Sequence, residues 1–301
     1  MSWLILILLG AIWGASYMFI KVGGAEIPPF TFVAGRTLIA ASVLLIAMYA
    51  RGESLPRTRR EWTPLIAMGI FNGVIPYTLI TWGETHIASG LAAILTAAMP
   101  LFTVLLAHFW TRDERLTAAK VSGVMVGFVG VVVLFMPELR QGIRMEFWGQ
   151  FAVVVSAASY ATATLVARKF LGGVSHVVAS TGQLASAALW MLPLSLAFDN
   201  PFALRPSLAA IGSLLTLALP GTAIAYILYY WLIERTGATR TALVTYLIPI
   251  TGVMWGALLL NEPLEWEVLI GLAVIVAGVA LVNRQSAPTQ KADVDETVSV
   301  C

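Results

Sequence analysis

The chain has 301 residues, of which 59% are hydrophobic and only 11% charged, with a formal net charge of +2. A water-soluble domain carries about 25% charged residues, so a water-facing globule is excluded and the surface has to meet lipid. The near-neutral balance offers no electrostatic footprint for nucleic acid, and the single cysteine, Cys301, excludes an internal disulfide and a cysteine-based metal site.

Apolar runs predict ten membrane spans, near 3–22, 31–50, 63–83, 87–110, 117–136, 147–167, 175–197, 208–232, 238–260 and 265–283. Lipid cannot satisfy backbone polar groups and the runs are too long for barrel strands, so the spans are helices and the protein is an all-α integral membrane protein. Span 1 lacks a positive leading segment and runs at once into another span, unlike a cleaved signal peptide. Trp13, Ser16 and Tyr17 share one of its faces, being three and four residues apart. Span 2 carries Arg36, the one clear charge in the membrane interior, about 10 Å from the outer end by helix rise. It is expected to snorkel or to pair with Glu84 or Glu262. Span 3 holds Asn72, an amide expected to bond a neighbouring helix, then Pro76 and Tyr77.

Thr96 precedes Pro100 by four residues in span 4, and Thr245 precedes Pro249 by the same step in span 9. Each proline removes a backbone donor and is expected to kink its helix. Ser156, Tyr160 and Thr164 make a stripe in span 6 with Ser159 beside it, and Tyr226 and Tyr230 are one turn apart in span 8, after Pro220. Gly10/Gly14, Gly69/Gly73 and Gly123/Gly127 are small-xxx-small pairs that let helices approach closely. Trp82 and Trp231 fall near span ends and read as interfacial belt residues. The tail 285–301 is polar and expected to be a disordered cytoplasmic segment.

Thirteen Lys and Arg lie on one set of alternate connections, and only Lys21, Arg140, Arg144 and Arg205 on the other. The positive-inside rule places the rich set, and with it both termini, in the cytoplasm. A repeat runs through this topology. Tyr77, Trp82, Pro100, Glu114, Gly123 and Gly130 are spaced by 5, 18, 14, 9 and 7 residues; Tyr226, Trp231, Pro249, Glu262, Gly271 and Gly278 by 5, 18, 13, 9 and 7. "GASY" at 14–17 likewise matches "AASY" at 157–160. Two five-span halves, 1–140 and 141–284, would then enter the membrane in opposite senses. Such inverted repeats are a sequence pointer to secondary transporters.

The ten spans, the five-plus-five repeat, the prolines in spans 4 and 9, the Glu-x-Leu triplets at 114–116 and 262–264, Arg36, and the glycine-rich spans 5 and 10 together resemble the EamA-type branch of the drug/metabolite transporter superfamily. The resemblance covers residues 3–284; "TRDERL" at 111–116 departs from it, lacking the glycine often found before the glutamate. It implies a metabolite exporter of a bacterial inner membrane, with a central cavity lined from both halves and needing no cofactor. Amino-acid exporters are known in that family.

The residues expected to line the cavity are Trp13, Ser16, Tyr17, Tyr77, Thr96, Pro100, Ser156, Ser159, Tyr160, Tyr226, Tyr230, Thr245 and Pro249, with Glu114 and Glu262 at helix ends. The alternative for the hydroxyls is a bond to their own helix carbonyls. A neutral, aromatic, hydroxyl-rich cavity with one fixed positive charge suits small neutral or zwitterionic metabolites. Amino acids are the first choice, and nucleobase- or sugar-type metabolites the alternative. No paired carboxylates, HExxH or nucleophile–base set lies at depth, so an enzyme is not expected. No charged ring or carbonyl filter points to a channel, and no His lies at ligand spacing from another donor, so no metal is expected. The lipid bilayer and a small-molecule metabolite are the expected partners, and the protein is expected to work as a monomer. Glu84, Glu114, Glu234 and Glu262 all fall at span ends, where water is expected to reach them. A facilitator working by alternating access, with no proton coupling, follows from that placement.

Overall fold

A computed structural model of the chain describes residues 1–110 and 117–284. Among the described residues every regular element is helical. Eight of the helices formed by the described residues are long and apolar enough to cross a membrane: α1 (Ser2–Gly24), α2 (Pro29–Ala50), α3 (Arg59–Glu84), α4 (Ser89–Trp110), α5 (Ala118–Gln141), α6 (Met145–Phe170), α7 (His176–Phe198) and α8 (Leu208–Thr236). Two shorter apolar helices follow, α9 (Val244–Leu259) and α10 (Trp266–Arg284). Glu114 and the tail 285–301 lie outside the described residues. Rows of large apolar side chains point away from the bundle, among them Ile46, Phe109, Met125, Val129, Leu196 and Leu258, a surface made for lipid rather than water.

Local chemistry sets the helix ends. Pro28 and Pro29 start α2, where a missing N–H costs nothing. Thr58 and Glu61 form a reciprocal capping box at the head of α3, and Ser207 Oγ accepts from Ala210 N (3.2 Å) at the head of α8. The sequence places the end of span 5 near 136, yet α5 continues through Pro137 and stops only at Gly142, whose φ of +96° is open to glycine. Span 9, expected from 238, is split. Gly237 (φ +82°) ends α8, a four-residue helix follows over Ala238–Thr241, and α9 begins at Val244.

The glycine pairs pack as their spacing predicts. A Cβ on Gly10 would meet Leu247 Cβ at 2.6 Å and one on Gly14 would meet Gly252 N at 2.8 Å, which seats α1 directly on α9. Gly69 and Gly73 sit equally close to Ser186 and Ala187 of α7. Gly123 and Gly130 face Gly278 and Ile275 of α10, where a Cβ on Gly278 would lie 2.5 Å from Gly127 Cα. Leu101, from α4, fills the space over Gly127. α2 lies along α7, and the end of α3 lies on α6.

One end of the bundle gathers the charge-poor connections. Glu26 accepts from Ser207 N and Oγ, both at 2.7 Å, and these two bonds hold its carboxyl below the ordinary carboxylate range. Asp199 accepts from Thr31 N (2.6 Å). The Glu262 carboxylate accepts from Ser89 N (2.7 Å), Ser89 Oγ (3.0 Å) and Gly90 N (3.0 Å), capping α4 from the connection between α9 and α10.

Candidate functional site

Two helices change their winding halfway along. In α3, Gly69–Val74 is π-helical and is followed by Pro76; in α8, Leu219–Ile224 is π-helical and contains Pro220. Like Pro100 and Pro249, Pro76 and Pro220 are expected from the sequence to kink their helices. The π turns are the form the kinks take, because a missing proline N–H makes the wider i→i+5 pattern easier to adopt and an extra residue turns the side chains sideways. Each π segment delivers one polar group to the bundle interior. Asn72 Nδ2 donates to Gln183 Oε1 (3.1 Å) of α7 and to the Tyr226 hydroxyl (3.0 Å) of α8. Thr222 Oγ1 donates to Leu217 O (2.8 Å) and accepts from Arg36 Nε (3.0 Å) of α2.

Arg36 is therefore not a snorkelling residue. It is 7% exposed, its guanidinium carbon lies 3.7 Å from the centroid of the Tyr77 ring, and its partner is Thr222 rather than Glu84 or Glu262. The ring face and the hydroxyl oxygen both offer negative potential to the cation, which lowers the cost of burying it.

Tyrosines from α1, α3 and α6 gather at this charge, and two from α8 extend the row. Tyr160 of α6 meets Tyr77 edge-on at 6.5 Å, and Tyr17 of α1 lies in the same neighbourhood. Tyr226 stacks on Tyr230 at 6.0 Å, and Tyr230 stacks on His176 at 4.7 Å with rings 2° from parallel. The Tyr17 hydroxyl faces Thr96 of α4. The structure thus brings together Tyr17, Arg36, Tyr77, Thr96, Tyr160, Tyr226 and Tyr230.

Other expected lining residues stand differently. Ser16, Thr96 and Ser156 donate to carbonyls of their own helices, those of Ile12, Ala92 and Val153, and Thr245 donates to Ala242 O in the turn just before α9. That is the local alternative weighed above. Ser159 instead crosses to Phe71 O (2.8 Å) of α3. Trp13 packs on Tyr229 at 5.3 Å. α4 is broken between Thr96 and Met99, and Pro100 sits just past the break. Pro100 and Pro249 share one narrow cleft with Ala97, Thr245 and Tyr246, closed by Ile275, Val276 and Val279 of α10.

Sequence reasoning missed Thr222, Gln183, His176 and the burial of Glu84. Gln183 carried a usable signal, since it is a lone amide in an apolar helix as Asn72 is. Glu84 was expected to meet water. It is 1% exposed and neither carboxylate oxygen has a hydrogen-bond partner. Two features seal it. Gly83 lets α6 approach until a Cβ there would lie 2.8 Å from Gly149 O. Lys21 of α1 lies across the turn after it, Nζ donating to Glu84 O (2.6 Å) and Ile87 O (2.8 Å).

The model of the EamA-like transporter family matches residues 1–136 and, a second time, residues 147–284. The chain belongs to the EamA-like transporter family. Its relatives include the "Uncharacterized transporter YoaV" of Bacillus subtilis, 23% identical over 89% of this chain and 91% of the relative. The "Probable terminal-alkyne amino-acid exporter" of Streptantibioticus cattleyicolor is 28% identical over 93% of both chains. The "Uncharacterized inner membrane transporter YedA" of Escherichia coli K12 is 28% identical over 90% of this chain and 87% of its own. A solved crystal structure shares the fold with a TM-score of 0.67 at 21% identity, covering 95% of this chain and 98% of the other. Family and relatives point to a multi-pass membrane transporter rather than an enzyme.

Proposed function

We propose that this EamA-like protein is a ten-span secondary transporter of a bacterial inner membrane. It exports small neutral or zwitterionic metabolites, amino acids first, through the tyrosine-lined site around Arg36. The observation that carries the reading is the placement of Arg36, a buried cation against the Tyr77 ring and Thr222. A guanidinium has five N–H donors in a planar fork that matches a carboxylate, and only Nε is given to Thr222. The tyrosine rings and hydroxyls around it suit the rest of a small amphiphilic molecule. A lipophilic cation would be repelled there. The printed name of the Streptantibioticus relative lends support to amino acids.

The halves 1–140 and 141–284 are, in this reading, inverted repeats with both termini in the cytoplasm. The second match of the family model, the π turns at 69–74 and 219–224, and the paired contacts Asn72–Gln183 and Thr222–Arg36 support the repeat. The thirteen-to-four bias of Lys and Arg supports the orientation. Transport then proceeds by rocking of the halves about the site.

The test is a panel of toxic amino-acid analogues and other metabolites, scored for resistance on overexpression and then for efflux from reconstituted vesicles. Saturable efflux of amino acids, lost in Arg36→Ala, is the expected result. Efflux confined to nucleobases or sugars would replace the substrate class. Conductance without saturation would make the protein a channel.

A further inference from the structure

Glu84 is a buried titratable group that the proposed transport site does not use. It ends α3 at the charge-poor end of the bundle, sealed by Lys21 and by the α6 contact at Gly83. The groups that face it are Lys21 and Tyr17 from α1, Arg36 from α2, and Glu262 from the connection between α9 and α10. His86, two residues on, lies against Trp82 at 4.8 Å. α6 contributes the apolar contacts of Gly149 and Val153.

Three features of this geometry decide what Glu84 can hold. First, the carboxyl oxygens have no donor, and an ionised carboxylate without one is far costlier to bury than a protonated one. Second, Lys21 does not serve as the donor here: two of its three N–H groups go to the carbonyl oxygens of Glu84 and Ile87, and neither carboxyl oxygen accepts the third. Third, a metal cation would need a cage of several oxygens and would meet the Lys21 charge, so the group that fits is a proton.

We propose that Glu84 is a proton-binding site that latches the charge-poor end of the transporter shut. The carboxyl holds its proton while this end is closed. When the end opens, α1 and its Lys21 move off the turn at 84–87, water reaches the carboxyl, and the proton leaves to the water on that same face. The equilibrium is one carboxylate plus one proton giving one carboxyl, with nothing else gained or lost. Because the proton enters and leaves on one side, none crosses with substrate. Acid on that side slows opening, and a pH gradient does not drive accumulation. The inference rests on the proposed transport cycle, in which this end opens to the outside.

The test reads opening directly, without substrate. In a Cys301→Ser background, a single cysteine at Ile87, which is buried, or at Thr85, which is exposed, is labelled with a membrane-impermeant maleimide from outside. The ratio of Ile87→Cys to Thr85→Cys labelling corrects for the pH dependence of the reagent. With Glu84 present the ratio falls as the medium goes from about pH 8 to about pH 6, by at most about tenfold per pH unit, the limit for one linked proton. In Glu84→Gln, which mimics the protonated form, the ratio stays low and level; in Glu84→Asp the slope is retained. The same slope in Glu84→Gln as in the parent would overturn the proposal and give the titration to His86, which both retain. So would faster labelling of Glu84→Gln than of the parent at the higher pH. Accumulation of substrate driven by a pH gradient alone would overturn the one-sided route. A failure of the export reading shows in the flux panel and leaves the labelling readout intact.

Discussion

Glu262 belongs to one of the two Glu-x-Leu triplets, and the structure gives it a mechanical task. Its carboxylate accepts from Ser89 N, Ser89 Oγ and Gly90 N at the head of α4. Glu262→Ala strands two backbone donors on buried residues, at about 1–2 kcal/mol each, while the Ser89 hydroxyl can turn to another acceptor. The expected loss is about 3 kcal/mol. For a chain of this size that is about 6 °C in melting temperature, taking about 2 °C per kcal/mol. Glu262→Gln keeps one acceptor oxygen but loses the charge, and should cost about half as much. Thermal unfolding in detergent, followed by tryptophan fluorescence, measures both, with the exposed Glu265→Ala in the same connection as the control. Gly256→Ala offers an independent check, because a Cβ there would run into Glu262 Oε2 and push the carboxylate off its donors. A Glu262→Ala protein melting within about one degree of wild type would show that the cap carries no stability, and the reasoning would fail.

A reporter fused at Cys301 should read cytoplasmic and one inserted between Gly142 and Arg144 periplasmic; the reverse pair would overturn the orientation and the inversion together. Pro100→Ala and Pro249→Ala should each impair transport while leaving membrane insertion intact, and normal kinetics in both would remove the shared cleft from the working machinery. Asn72→Leu leaves the Gln183 amide without its donor and should cost about 1–3 kcal/mol in thermal unfolding, with transport reduced further than Gln183→Ala reduces it. Glu26 has its carboxyl held below the ordinary value of 4.5 by Ser207. Its contribution is therefore full above that value and fades as pH falls through the lowered one. The melting-temperature difference between wild type and Glu26→Gln should accordingly shrink below about pH 4.

The helices were legible because lipid leaves the backbone no alternative, and the glycine pairs because close approach needs small residues at a fixed step. Tyr17, Tyr77, Tyr160, Tyr226 and Tyr230 could be read as one set from their matched positions and helical spacing. What could not be read was contact between elements remote in sequence. Arg36 and Thr222 are 186 positions apart, and nothing near either one names the other. The π turns were hidden for a different reason. A proline announces a disturbed helix, but whether the disturbance becomes a kink, a break as before Pro100, or a wider turn depends on what packs against it. Glu84 shows the same limit. Distance from the end of an apolar run measures depth along a helix, while exposure is settled by neighbours such as Gly149 and Lys21.

A π turn holds one residue more than the α-helix around it needs. Along α3 and α8 that surplus can pass to the next turn if one hydrogen bond is exchanged for its neighbour, so the lower part of each helix can rotate against the upper without the ladder being broken. Asn72 and Thr222 ride on these turns. A passing surplus would swing both polar groups at once, drawing Thr222 from Arg36 and Asn72 from Tyr226. The contacts of α3 and α8 would then be geared through helix winding, and the Arg36 cation would be uncovered as the helices turn.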